Sequence, residues 1–238
     1  MKARILIAAI LTIALIAAMS CSKKESEKSE AFVPLFDGKT LNGWIVPKGD
    51  NGHWKVVDGI IDYDGKSEAE GDKNLWTEKE FGDFILKVDW RFPGPPHKQF
   101  VPIVLPDGSD AQNPDGTPKM IEIEYPGDSG IYLRGSSKSQ VNIWNWPIGS
   151  GEVYGYRKDP NMPPEVRRAV TPIKRADRPI GEWNTFVITM KGDRLTVVLN
   201  GETVIENAQL PGVPARGRIA LQHHGDPIQF RNIYIKEL

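Results

Sequence analysis

A β-sandwich of jelly-roll type is the fold this sequence predicts, and three observations predict it. Short runs of alternating apolar and polar residues recur at close intervals, turn dipeptides separate them, and no long amphipathic helix interrupts them. In WKVVDGIIDY an Asp58-Gly59 turn sits between two apolar runs. In FILKVDWRF, Phe84, Leu86, Val88, Trp90 and Phe92 alternate with Ile85, Lys87, Asp89 and Arg91. NTFVITMKGDRLTVVLNGETVI supplies two more runs, with turns at Gly192-Asp193 and Asn200-Gly201. The closing strand IQFRNIYIKEL changes phase at Asn232. Ile228 and Phe230 share one face while Ile233 and Ile235 need the other, and a bulge would restore the register.

The chain begins with an address. Lys2 and Arg4 precede an apolar run from Ile5 to Met19, broken only by Thr12, which reads as the basic and hydrophobic regions of a secretory signal. That run falls short of the roughly 20 apolar residues of a membrane span. Cys21, the single cysteine, has no internal disulfide partner and follows the small Ser20, as in a bacterial lipoprotein acylation site. Ser22 to Glu30, SKKESEKSE, carries no apolar residue to bury and reads as a flexible tether. Residues 31–238 then form one all-β domain, held at a membrane through the lipid alone. Lys+Arg 30 against Asp+Glu 31 leaves a net charge of -1, which argues against nucleic acid as a partner.

One stretch carries more than packing. In DSGIYLRGSSKSQVNIWNW, Ile131, Leu133, Val141 and Ile143 read as core, with SSKS as the turn. Gly130, Tyr132, Arg134, Gln140, Asn142 and Trp144 therefore share the opposite face. In MIEIEY the same alternation puts Glu122 and Glu124 together, and in IALQHHG it groups Ala220, Gln222 and His224. Paired in one sheet, these runs form a polar pocket. Solvated strands usually carry Thr, Lys and Glu, whereas Tyr132, Asn142, Trp144, Gln222 and His224 suit stacking on and hydrogen bonding to a polyhydroxylated ligand. Two proline-rich segments, Pro93 to Lys119 and Pro147 to Pro179, are predicted as loops that rim this sheet face.

Five blocks, FVPLFDGKTLNGWIV, WKVVDGII, DSGIYLR, GEWNTFVITMKGDRLTVVLNG and GRIALQHHGDPIQFRNIYI, occur in an order that resembles the 3-keto-disaccharide hydrolase domain family. The resemblance implies a two-sheet antiparallel jelly-roll sandwich of the concanavalin A-like or laminin-G-like kind, on an exported lipoprotein. It implies cleavage of glycosides already oxidised at C3, by hydrolysis or by elimination across C1 and C2, with one divalent metal ion in some members. A sugar oxidoreductase acting earlier in the pathway would supply the ketone. The alternative on the same fold is a carbohydrate-binding protein without catalysis.

A C3 carbonyl acidifies the C2 hydrogen, so the reaction needs a base, a stabiliser of the enolate and an acid for the leaving group. The catalytic candidates are Glu124, Glu122, His224 and Arg134, with Glu124 ranked first. Tyr132, Asn142, Trp144, Tyr154 and Gln222 are the substrate-binding candidates, and Glu122, Glu124, Asp128 and His224 the candidate metal ligands. Leu221 to Gly225 and Tyr154 match the family. Asp128 stands where the family usually has Asn, and Gln140 and Asn142 where it commonly has Glu and Gln. Gln140 is no base, so the resemblance implies either that a glutamate of MIEIEY takes the acidic role or that catalysis is lost. Phosphate loops, dinucleotide fingerprints, CxxC and HExxH are absent, and the Asp37-Gly38 and Asp107 to Asp115 stretches read as turns.

Overall fold

The structure is a computed structural model that describes residues 31–238. The leader, Cys21 and the Ser22 to Glu30 tether lie outside the described residues.

The alternating runs form two packed sheets. The larger contains β1 (Val33–Pro34), β3 (Trp54–Val57), β4 (Ile60–Tyr63), β6 (Phe84–Arg91), β11 (Asn184–Lys191), β12 (Arg194–Leu199), β13 (Glu202–Gln209) and β15 (Ile228–Glu237). Its order is β13-β12-β11-β6-β15-β4-β3, with β1 on β15, and every pairing is antiparallel. The smaller sheet contains β2 (Trp44–Ile45), β5 (Leu75–Phe81), β9 (Ser129–Leu133), β10 (Ser136–Ile143) and β14 (Gly217–Leu221), in the order β10-β9-β14-β5-β2.

Leu75, Leu221, Ile131 and Val141 are successive cross-strand partners in the smaller sheet, so their side chains form one row on its inner face. They meet Leu86, Val88, Phe186, Ile188 and Phe230 of the larger sheet in a single buried cluster. Each fully buried large apolar side chain contributes about 1.5–3 kcal/mol.

The turn chemistry is where the sequence places it. Asp58 and Gly59 both take positive φ (50° and 79°), as do Asn200 and Gly201 (53° and 88°), which suits the twist of two-residue hairpins. The ladder of β15 shifts register between Arg231 and Tyr234, with Asn232 at φ 50°. That bulge lets Ile228, Phe230, Ile233 and Ile235 all face the core. Asp37 and Asp107 accept bonds from backbone N–H groups two residues on, as Asx turns do.

Three expectations need correction. MIEIEY joins neither large sheet: among the described residues β8 (Met120–Tyr125) pairs only with β7 (His97–Pro102), forming a separate two-stranded ribbon. The first proline-rich segment is therefore part ribbon, and the second contains two short helices, α1 (Tyr154–Arg157) and α2 (Pro164–Ala169). The turn between β9 and β10 is Arg134-Gly135 (φ 52° and 71°), while SSKS already belongs to β10, whose register slips between Ser136 and Gln140.

Candidate functional site

The outer face of the smaller sheet carries a depression of about 320 Å3 lined by Asp128, Gln140, Asn142, Trp144, Trp146, Tyr154, Gln222 and His224. Its floor comes from β9, β10 and the end of β14. Gly130 is required there: a Cβ would lie 2.3 Å from Nε2 of Gln140, whose side chain crosses over it. Gln140 Nε2 donates to Oε1 of Gln222 (2.6 Å) and to the Ser129 carbonyl (3.3 Å), which fixes both amides. Asn142 is buried, and its side-chain amide has no hydrogen-bond partner among the described residues. Trp144 stacks flat on Trp146 (4.0 Å, 5°) and meets the edge of Tyr154 at 6.2 Å. The Trp144 indole N–H donates to the Gly149 carbonyl (2.7 Å), whereas that of Trp146 is buried and has no partner among the described residues.

An acid–base cluster closes one end. The Asp128 carboxylate accepts no hydrogen bond from any described residue, and burial pushes it up from 3.8 to about 7, against the pull of His224 and with the help of Asp226. His224 Nδ1 lies 3.9 Å from Oδ2 of Asp226. The Asp226 and Asp128 carboxylates raise the imidazole above its ordinary value, against partial desolvation. Asp226 is anchored by the Asp128 backbone N–H (2.9 Å) and the Tyr125 hydroxyl (3.2 Å). Burial acts upward on Asp226, yet these donors and His224 hold its carboxylate below the usual range. One ionised carboxylate therefore orients the histidine while the other sits unbonded in the pocket.

The structure brings Asn142, Trp144, Tyr154, Gln222 and His224 together, with Asp128 among them. Tyr132 borders the same group, its hydroxyl at the Gln222 side chain. Three residues fall elsewhere. Glu122 and Glu124 are exposed on the ribbon, where Lys98 approaches them at 3.7 and 2.6 Å. Arg134 takes a left-handed conformation that turns its side chain off the predicted face. Its buried guanidinium donates to the Gly82, Gly192 and Pro214 carbonyls and pairs with Asp83 at 2.8 Å. Asp226, Trp146 and Gln140 are members that pattern reasoning passed over as site residues.

The chain belongs to the 3-keto-alpha-glucoside-1,2-lyase-like domain family. That family's profile matches residues 31–236, nearly all of the described chain. A 3-keto-disaccharide hydrolase of Bacteroides thetaiotaomicron is 24% identical over 251 aligned positions, covering 88% of this chain and 79% of that protein. Among solved structures, a candidate glycosyl hydrolase of Parabacteroides distasonis is 26% identical, with a TM-score of 0.54 over 87% of this chain and 84% of its own. A second such protein from the same organism shares the fold at 21% identity, with a TM-score of 0.58 over 88% and 94% of the two chains. The antiparallel two-sheet sandwich is thus the family's fold.

The donor set does not suit the divalent metal that the family resemblance implies. Of the four candidate ligands only Asp128 and His224 share the pocket, and among the described residues no three His, Cys, Asp or Glu side chains are grouped to hold an ion. The chemistry below is therefore derived from side chains.

Proposed function

We propose that this protein cleaves 3-keto-glycosides, with Asp128 as the base and His224 as the acid. The carrying observation is the unbonded Asp128 carboxyl, raised to about 7, beside a histidine whose pKa Asp226 raises, in a pocket walled by stacked indoles and amides. A base works best with a pKa near the operating pH, and burial brings Asp128 there. Asp128 removes the C2 proton, and the electron pair moves onto the C3 oxygen as an enolate. When the carbonyl re-forms, a C1=C2 double bond forms, the C1–O bond breaks, and the departing oxygen takes a proton from His224. Water adding across that double bond completes net hydrolysis; release without addition is the lyase outcome.

The unpaired Asn142 amide is a donor suited to the enolate oxygen or to ring hydroxyls. Trp146, partly exposed over the buried Trp144, is the platform for a sugar face. Although position 140 carries an amide, Asp128 keeps a carboxylate in the pocket, and this favours catalysis over binding alone. Incubating the protein with a 3-ketoglucoside and measuring aglycone release tests the reading; saturable binding without release would replace it with the binding-only alternative. The chemistry also requires an oxidoreductase to install the C3 ketone beforehand. Export and anchoring through Cys21 belong to the same proposal, and intact mass of the membrane-extracted protein decides it: an unacylated chain rules the anchor out.

A further inference from the structure

The polar face of the smaller sheet continues past the candidate site. Ile45 pairs with Trp76, Trp76 with Ala220, Ala220 with Tyr132 and Tyr132 with Gln140. Direct cross-strand partners project to the same side, so one row of side chains crosses all five strands, from Gln140 in the pocket to Ile45 at the far edge. Ala220, in the middle, offers only a methyl group, and it is buried where the Trp76 and Tyr132 rings approach (centroids 5.8 Å apart, tilted 46°). Beyond Trp76 the face opens into a second depression of about 580 Å3, whose polar lining includes Asp72, Asn74, Glu80, Arg216 and Arg218.

This depression has the parts of a sugar site. The Trp76 indole is held in place by its N–H bond to Oδ2 of Asp72 (2.7 Å). Asn74 ties the depression to the candidate site, its Oδ1 accepting the backbone N–H of His223, next to His224 (2.8 Å). Arg216 donates to the Glu80 carbonyl (2.6 Å) and Arg218 to that of Glu78 (3.4 Å), which leaves further donors of each guanidinium for a ligand. Two carboxylates and three guanidiniums line it, and because Arg134 is already paired with Asp83 the remaining charges balance. An aromatic face ringed by balanced polar groups fits a neutral polyhydroxylated ring better than an ion.

We propose that this depression is a subsite for a second pyranose ring. The substrate lies along the row, its ketone-bearing ring at Asp128 and His224 and its next sugar unit over Trp76. Trp76 and Tyr132 stand two strand spacings apart, about 10 Å, so the two positions are contiguous. Which ring reacts rests on the proposed function; sugar binding at Trp76 does not.

The test compares the full chain with its Trp76→Ala, Trp76→Phe and Arg218→Ala variants, each checked for an unchanged far-ultraviolet circular dichroism spectrum and cooperative thermal unfolding. The probes are maltose and cellobiose, covering both anomers, against the corresponding methyl glucosides. Binding is followed by titration calorimetry and by the indole N–H resonance that disappears in Trp76→Phe. At least one disaccharide should bind about tenfold more tightly than its methyl glucoside and shift that resonance. Trp76→Ala should bring the ratio towards one, Arg218→Ala should lower it, and Trp76→Phe should keep most of it. A wild-type ratio of one, an unmoved indole resonance, or a ratio unchanged in both alanine variants overturns the subsite. None of these readouts requires turnover, so failure of the subsite and failure of the proposed reaction are separately visible.

Discussion

Asp128→Asn should make the fold more stable at alkaline pH and leave it unchanged in acid. The carboxyl ordinarily titrates at 3.8 and here at about 7. Between those values the native chain holds a proton that the unfolded chain has lost, so the wild type loses stability as pH rises through that window. Asparagine does not titrate, and the variant is spared that loss. A shift of about 3 pH units corresponds to at most about 4 kcal/mol. Because the side chain is partly open to solvent and His224 offsets part of its charge, about 1–2 kcal/mol is the expected size. For a domain of this length that raises Tm by about 2–8 °C. Thermal unfolding followed by circular dichroism from pH 4 to pH 8.5 should show the two proteins nearly coinciding at pH 4, separating progressively towards pH 7 and keeping a constant gap above it. A difference that is flat with pH, or a wild type that gains on the variant towards alkaline pH, would refute the placement of an unbonded carboxyl in this pocket.

Glu124→Gln removes only an exposed partner of Lys98, so kcat/KM on a 3-ketoglucoside should stay within about twofold and stability within about 1 kcal/mol. Trp146→Ala should raise KM about tenfold while changing kcat little, as steady-state kinetics would reveal, since the ring is assigned to binding. Arg134→Met leaves Asp83 without its ion-pair partner and three backbone carbonyls without the guanidinium donor; urea unfolding should register a loss of about 3–5 kcal/mol, with kcat/KM of the folded protein retained.

The two sheets were legible in the sequence because most strands have one buried face. Alternation in FILKVDWRF and DSGIYLR locates the core, and Asp58-Gly59 and Asn200-Gly201 locate hairpins. The Asn232 bulge was legible for the same reason: a phase error in a strand has few physical remedies. Alternation fails where the backbone is no longer extended. Arg134 sits at the end of β9 with φ 52°, so its parity with Gly130 and Tyr132 carries no information about its direction. Alternation also cannot say which sheet a strand joins, and the apolar alternation of MIEIEY describes a ribbon as well as it describes a sheet. The acid–base end of the site lay beyond pattern altogether. Asp128 precedes β9, His224 and Asp226 follow β14, and the bond that joins the two aspartates spans 98 residues. The Gly-Asp-Pro turn after the two histidines was the one available hint of Asp226. Trp146, two residues beyond the platform the strand pattern selected, turned out to be the outer member of the stacked pair.

The central claim is that Asp128 removes a proton from C2, and isotope exchange reads that step alone. Incubated in D2O with a 3-ketoglucoside, the wild type should place solvent deuterium at C2 of recovered substrate or of the hydrated product, or release a C1=C2 product that has lost its C2 proton, as mass spectrometry and proton NMR detect. Asp128→Asn should slow both exchange and aglycone release by about 10²- to 10⁴-fold. Deuterium incorporation at the wild-type rate in Asp128→Asn, or aglycone release by the wild type with the original C2 proton retained in the product, would contradict the assignment.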